Sequence, residues 1–246
     1  TGAAKRIGRA SAMALAADGW QIGVHYGTSA HEAESLVSQI EQEGGKAIAL
    51  CADLGEAAAA ADLIPRAAEA LGGISLLINN ASLFEPDDAT TLTPDSWNAH
   101  LNINLRAPAL LMQAFAAQDI WSDNSDACII NITDQRIDRL TPYFTSYSVS
   151  KVGLWTLTQT FAQALAPKHI RVNAIAPGPV LPNVRQSQAA YDKQASLVPL
   201  QHGATPDDIV QAIRFILSAH ALTGESIAID GGQHIAWQTP DTTLDS

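Results

Sequence analysis

The sequence predicts a doubly wound α/β fold in a single domain, 1–246, on three observations. Short apolar or β-branched runs alternate with longer, Ala-rich amphipathic runs along the whole chain, the pattern of βα units around a parallel sheet. Several of the short runs are apolar throughout, as strands are when helices cover both faces of their sheet. With 246 residues, 47% of them hydrophobic, the chain is long enough for one well-packed core.

The elements follow in order. The chain opens on TGAAKRIG, a turn rich in glycine and cations of the kind that joins a first strand to a first helix. No strand stands before it, so the sequence implies an absent first strand, central in the sheet, and a folded polypeptide that begins upstream of Thr1. Strands are expected at 21–25, 46–50, 75–79, 127–132, 171–175 and 226–230. Helices are expected near 10–18, 30–43, 56–71, 95–118, 146–166 and 206–219. From Pro177 to about Gly203 four prolines break the alternation, which predicts a loop or short-helix lid over a pocket at about 178–203. A polar tail at about 238–246 is expected to fray.

Composition excludes several classes of partner. Lys and Arg number 14 against 25 Asp and Glu, and a net charge of −11 repels phosphate backbones and anionic lipid, so neither nucleic acid nor membrane is expected. No apolar run approaches the roughly 20 residues that span a bilayer, and the chain reads as cytoplasmic. Cys51 and Cys128 each lie in an apolar run and read as small core hydrophobes. The seven histidines are scattered, with no cysteine cluster and no His pair beside a glutamate, so no metal site is expected. No G-x-S-x-G supports a hydrolase. The acids Asp87 and Asp88, and Asp207 and Asp208, directly follow prolines and read as turn or helix-start residues.

The opening turn carries the first chemistry. Gly2 and Gly8 flank it, and a helix starting near Ile7 or Gly8 leaves backbone N–H groups and a positive dipole end to face a pyrophosphate. Arg6 occupies a place where a third glycine is common and offers a guanidinium fork to a 2′-phosphate. At the end of the next strand stand His25, Tyr26, Gly27, Thr28 and Ser29, with no acid before Glu32 to bind a ribose 2′-hydroxyl, a pattern that favours NADP over NAD. Further on, YSVSK sets Tyr147 and Lys151 one helical turn apart. An ammonium beside a phenol favours the phenolate and brings the group toward the working range of a general acid.

TGAAKRIG, NNAS (79–82), INL with Asn104, YSVSK, APGP (176–179) and IDGG (229–232), in this order over nearly the whole chain, resemble the short-chain dehydrogenase/reductase family. The resemblance implies a Rossmann-type fold that binds NAD(P) and assembles as a homotetramer or homodimer around a small-molecule substrate. It implies Tyr147 as proton donor and acceptor, Lys151 as the group that binds the nicotinamide ribose and lowers the tyrosine's pKa, and Asn104 as the holder of a proton-relay water. It assigns to the cofactor Gly2, Arg6, Ile7 and Gly8 from the opening turn, and Asp53 with Leu54 near the adenine. His25, Tyr26 and Ser29 follow the next strand, and Asn80, Ala81, Ser82, Pro177 and Gly178 complete the set with Tyr147 and Lys151.

One departure narrows the reading. Where the family usually has Ser, INITDQR has Asp134, whose charge raises the tyrosine's pKa rather than lowering it. That hinders reduction of a ketone and helps where a proton must reach nitrogen. TGAAKRIG with Arg in place of Gly, HYGTS, NNASLF, Asp134 and YSVSK together resemble the pteridine reductase branch, including dihydromonapterin-reductase-like proteins. The branch implies NADPH-dependent reduction of a pterin C=N bond, with Asp134 and Tyr147 as the proton-supplying pair. It also implies Phe84 stacked on the pterin and Ser82 touching both pterin and cofactor. Thr28 stands where relatives often carry an Arg for the 2′-phosphate, which leaves Arg6, His25 and Ser29 to bind it. Two other readings stand beside this one: a carbonyl or 3-oxoacyl-thioester reductase of the same family, with Asp134 incidental, and a non-catalytic NADPH sensor, against which intact Tyr147 and Lys151 argue.

Overall fold

Two parallel ladders carry the fold. In the first, β1 (Ile22–Tyr26) pairs with β2 (Ala47–Cys51), Ile22 opposite Ala47. In the second, β3 (Leu76–Asn79), β4 (Ala127–Ile132), β5 (Ile170–Pro177) and β6 (Ser226–Ile229) lie side by side in that order. These assignments come from a computed structural model that describes residues 1–121 and 126–237; the polar tail at 238–246 lies outside the described residues. The two ladders are not hydrogen-bonded to each other. A cavity of about 430 Å³ lies between β1 and β3, lined among others by Leu15, Ile22, Leu76 and Ile78.

Eight helices among the described residues flank the strands: α1 (Arg6–Ala17), α2 (Ala30–Gln42), α3 (Ala57–Leu71), α4 (Pro94–Leu101), α5 (Ala107–Ala116), α6 (Thr145–Leu165), α7 (Gln188–Ser196) and α8 (Pro206–Ser218). Successive strand residues point to opposite faces, so Ile129 of β4 joins the core built with Leu111, Met112 and Phe115 of α5, while Ile130 joins Ile209, Ile213 and Ile216 of α8. A third core sets Val24 of β1 with Leu36 and Ile40 of α2. Every residue of β4 and β5 is buried, including the polar Asn131, Arg171 and Asn173, because helices cover both faces of the sheet. Phe115 is fully enclosed, and its truncation to Ala would cost about 3–5 kcal/mol. The architecture is the Rossmann-type parallel sheet flanked by helices.

Three features differ from the sequence reading. The first helix begins at Arg6, several residues before the expected position 10. The single helix expected over 95–118 is α4, a π turn over Asn102–Arg106 and α5. Pro108 has no N–H to offer the Asn104 carbonyl four residues back, and the chain relaxes into the wider turn. The 178–203 segment matches the expected short-helix lid, with α7 within otherwise irregular chain. Cys51 is exposed at the end of β2, its thiol directed at the Gly27 carbonyl, so only Cys128 is a core thiol. Burial pushes the Cys128 thiol up to about 12. The helix-start reading holds for Asp208, which closes a capping box with Thr205 at the head of α8.

Candidate active site

The opening turn is built on one imidazole. Gly2, at φ +58°, donates its N–H to His25 Nδ1 at 3.0 Å, and Ala3 donates to the His25 carbonyl at 2.9 Å. Because Nδ1 accepts, Nε2 carries the proton and reaches the Ala52 carbonyl at 3.1 Å. Burial pushes the His25 pKa down to about 4, so the ring is neutral near pH 7. His25 is therefore a strut between the turn, β1 and β2, and not the phosphate-binding cation the sequence suggests. Asn80 Nδ2 donates to the carbonyls of Thr1 and Gly2 at 2.9 and 3.1 Å, holding the turn from β3. A Cβ on Gly8 would collide with the Gly2 carbonyl oxygen, so only glycine lets α1 start this close to the turn. No side chain caps α1, which leaves its first N–H groups for an anion.

A cavity of about 860 Å³ opens over this turn at the carboxyl ends of the strands, where doubly wound folds bind ligands. Its lining brings together Gly2, Arg6, Ile7, Gly8, His25, Asp53, Leu54, Asn80, Ala81, Ser82, Phe84, Asp134, Tyr147, Lys151, Pro177 and Gly178 from the sequence-derived set. Tyr26, Ser29 and Asn104 are not in it. Asn104, 1% exposed, accepts from Leu83 N at 2.8 Å and donates to the Leu83 carbonyl and Ser150 Oγ at 2.9 and 3.1 Å. Its side-chain amide is filled by protein partners and pins the 83 loop to α6.

Arg6 sits at φ +56°, the left-handed region that favours glycine. It donates to the Pro182 carbonyl at 2.7 Å and the Leu181 carbonyl at 3.2 Å, clasping the lid. Arg185 clasps the same lid from the other side, with Glu85 at 2.6 Å and the Phe84 carbonyl at 2.6 Å. Lys5 also lines the cavity, as do Gly27 and Thr28, and pairs with Glu32 at 2.6 Å. The sequence reading passed over Lys5, although it stands next to Arg6 in the same turn.

At the other group of lining residues, Tyr147 OH donates to Asp134 Oδ2 at 2.8 Å. Asp134 also accepts from Arg136 N at 2.9 Å and from Arg136 Nη1 at 3.1 and 3.2 Å on its two oxygens. Burial, reinforced by the Asp134 carboxylate, raises the Tyr147 pKa well above its usual 10. Lys151, whose Nζ donates to the Ile132 carbonyl at 2.8 Å, is pushed down to about 8 by burial. Lys151 does not lower the phenol's pKa here; Asp134 touches the hydroxyl and raises it, as a carboxylate at that place is expected to do. The phenol keeps its proton, and the arrangement is chemically a donor.

Phe84 was expected to present its face to a ligand. It stacks instead on Phe144, with ring centroids 4.4 Å apart and an interplanar angle of 12°, and meets the Tyr147 ring edge-on at 4.7 Å. The Arg136 guanidinium lies 5.6 Å from the Phe84 ring and 5.3 Å from that of Phe144. Phe144 and Arg136 escaped the sequence reading; the signal for Arg136 was its place two residues after Asp134. Asp87, 5% exposed, fixes the start of α6 from outside the helix. Its carboxylate accepts from Ser146 N at 3.0 Å, Ser96 Oγ at 2.8 Å and Ser146 Oγ, and its carbonyl from Phe144 N at 2.6 Å. Among the described residues no group of three or more His, Cys, Asp or Glu could hold a metal ion, and no helix is long and apolar enough to cross a membrane.

With this geometry in view, comparisons with known proteins agree on the fold and on an oxidoreductase. A family model described as enoyl-(acyl carrier protein) reductase matches residues 2–234. FolM alternative dihydrofolate reductase 1 from Brucella canis, solved complexed with NADP, superposes with a TM-score of 0.92 at 40% identity, covering 98% of this chain and 94% of that one. A short chain dehydrogenase from Burkholderia cenocepacia in complex with NADP has a TM-score of 0.88 at 32% identity, covering 94% and 95%. A 3-oxoacyl-[acyl-carrier-protein] reductase of Synechocystis is 31% identical over 235 residues, 94% of each chain.

Proposed function

From the premise that the chain belongs to the short-chain dehydrogenase/reductase family, we propose that it is an NADPH-dependent reductase of a pterin C=N bond. The observation that carries this reading is the hydrogen bond from Tyr147 to a carboxylate, Asp134, at 2.8 Å. The uncapped start of α1, the Gly2 and Gly8 turn and a cavity of about 860 Å³ over both fit a dinucleotide with its pyrophosphate at the helix N-terminus. NADPH, when bound, supplies the hydride. Lys5 and Thr28, lining the cavity at the end of β1, would hold the 2′-phosphate, with Asp53 and Leu54 at the adenine. Lys151 would hold the nicotinamide ribose.

The protein's own part is to hold and deliver a proton. Reduction of C=N at carbon leaves charge on nitrogen, and Tyr147, kept protonated by burial and by Asp134, is poised to donate there. Asp134 orients the hydroxyl and stabilises it as donor, while Phe84 and Phe144 form an aromatic wall for a flat ring. Arg6 and Arg185 hold the lid, which limits water over the site. A homotetrameric or homodimeric assembly and a cytoplasmic location belong to the same proposal. The Synechocystis relative favours a second reading, reduction of a 3-oxoacyl thioester, in which Asp134 is incidental. The deciding experiment follows NADPH oxidation by absorbance with dihydropterins and dihydrofolate, and separately with a 3-oxoacyl thioester, for wild type and Asp134→Ser. Pterin turnover lost in the variant supports the pair; turnover of the thioester alone, indifferent to Asp134, overturns it.

A further inference from the structure

The turn after β4 carries two polar atoms with no partner, and both belong to residues that line the large cavity. Gln135 is 3% exposed and its Oε1 is buried without a hydrogen bond. In the next residue, Arg136 gives Nη1 to Asp134, while its Nε–H is buried and unpartnered. Buried polar atoms in folded proteins are almost always paired, and an orphan costs the full loss of its hydration. An unbranched apolar side chain at 135 would fill the same space without that penalty. One orphan is an acceptor and the other a donor, and they stand on adjacent residues beside the Asp134 and Tyr147 pair and the Phe84 and Phe144 wall.

We propose that Gln135 is a specificity-determining residue that, with Arg136, reads a cyclic amide on the substrate: Gln135 Oε1 accepts from a ring N–H and Arg136 Nε–H donates to the adjoining carbonyl. This rests on the pterin reading above and extends it to a residue and an edge of the ring. A pterin carries such a lactam. The reacting end of a 3-oxoacyl thioester offers acceptors only and leaves Gln135 Oε1 unpaired. A site built to pair a substrate N–H discriminates strongly against an analogue without it, because the protein group is then stranded.

The test compares kcat/KM for a dihydropterin and for the same ring methylated at the lactam nitrogen, in wild type and in Gln135→Met, alongside the thermal midpoint of the free protein. The expected result is a loss of about 10- to 100-fold on methylation in wild type, carried mainly in KM, and a comparable loss on the unmethylated ring in Gln135→Met. Discrimination between the two rings then collapses in the variant. The free variant melts at or above the wild-type temperature, which a structural glutamine would not allow. If wild type treats both rings alike, or if Gln135→Met keeps the discrimination, the inference falls while pterin turnover stands. Wild type that reduces only the thioester overturns the pterin reading and the inference together, and that outcome is visible before any variant is made.

Discussion

Asp87→Ala tests how the donor tyrosine is held in place. The Asp87 carboxylate takes three hydrogen bonds, from Ser146 N, Ser146 Oγ and Ser96 Oγ, in a site where Ser146 is fully buried. Hydrogen bonds to a charged group contribute about 1.5–3 kcal/mol each, and the Ser96 and Ser146 hydroxyls, 3.5 Å apart, can turn toward each other when the carboxylate is gone. The Ser146 N–H has no such alternative at the head of α6. A net loss of about 3–5 kcal/mol follows, which in a domain of this size lowers the thermal midpoint by about 10 °C. Tyr147 is the next residue, so kcat falls about 10- to 100-fold with the hydroxyl misaligned. Burial alone would raise the Asp87 pKa, but the bonds from Ser146 and Ser96 outweigh it and the carboxyl lies below its usual range. Its stabilisation is therefore present above the unfolded pKa near 4 and is lost as pH falls through the folded value, so Asp87→Ala shows a shallower acid loss than wild type. Calorimetry from pH 3 to 7 reads both quantities. A variant that melts within 2 °C of wild type at about pH 7, where full loss is expected, refutes the reasoning.

His25, with a folded pKa of about 4 against an ordinary 6.5, binds fewer protons than the unfolded chain between those values, so its contribution is complete above pH 6.5 and about 3 kcal/mol is lost on acidification to pH 4. His25→Gln flattens that slope in melts between pH 4 and 7; an unchanged slope assigns the acid loss elsewhere. Lys151, pushed down to about 8, loses its charge above that pH, so kcat/KM declines on the alkaline side with one proton. In Lys151→Arg, which stays charged, that limb moves upward, and a limb that does not move excludes Lys151 as its source. Lys5→Glu sets a carboxylate toward the 2′-phosphate and lowers the NADPH-to-NADH ratio of kcat/KM at least about 100-fold by losing one charge-assisted contact and adding repulsion. A retained NADPH preference places the 2′-phosphate away from Lys5.

Local pattern made much of the fold legible. The run ACIINI is buried on both faces and its near-continuous apolarity declared it, whereas RVNAI is equally buried despite Arg171 and Asn173; the capping box at Thr205 and Asp208 is written within four residues. Chemistry that depends on neighbours close in sequence was legible too, since Tyr147 and Lys151 share a helix face and both line the cavity. What escaped was the choice of distant partners. Arg6 reads as a phosphate-binding cation until Pro182, 176 residues away, offers its carbonyl. His25 reads as a charge until burial between Gly2 and Ala52 removes it. Phe84 reads as a free aromatic face until Phe144, at φ +60°, stacks on it. A left-handed phenylalanine has no sequence signature, because the backbone pays that strain only where tertiary contacts hold it.

These corrections form one causal chain that begins at Asp134. A carboxylate with 16% of its side chain exposed is costly unless paired, and Arg136 pairs with it from two residues on. A guanidinium in that position, itself 17% exposed, needs cover for its flat face, and the rings of Phe84 and Phe144 supply it. Phe144 reaches that position only in the left-handed conformation, with its N–H on the Asp87 carbonyl, and the same aspartate fixes Ser146 and so the helix that carries Tyr147. A carboxylate at 134 thus stands together with a cation, two aromatic rings and a buried acid. Asp134, Arg136, Phe84, Phe144 and Asp87 act as one unit around the tyrosine, and the carboxylate at 134 is as much a structural commitment as a chemical one.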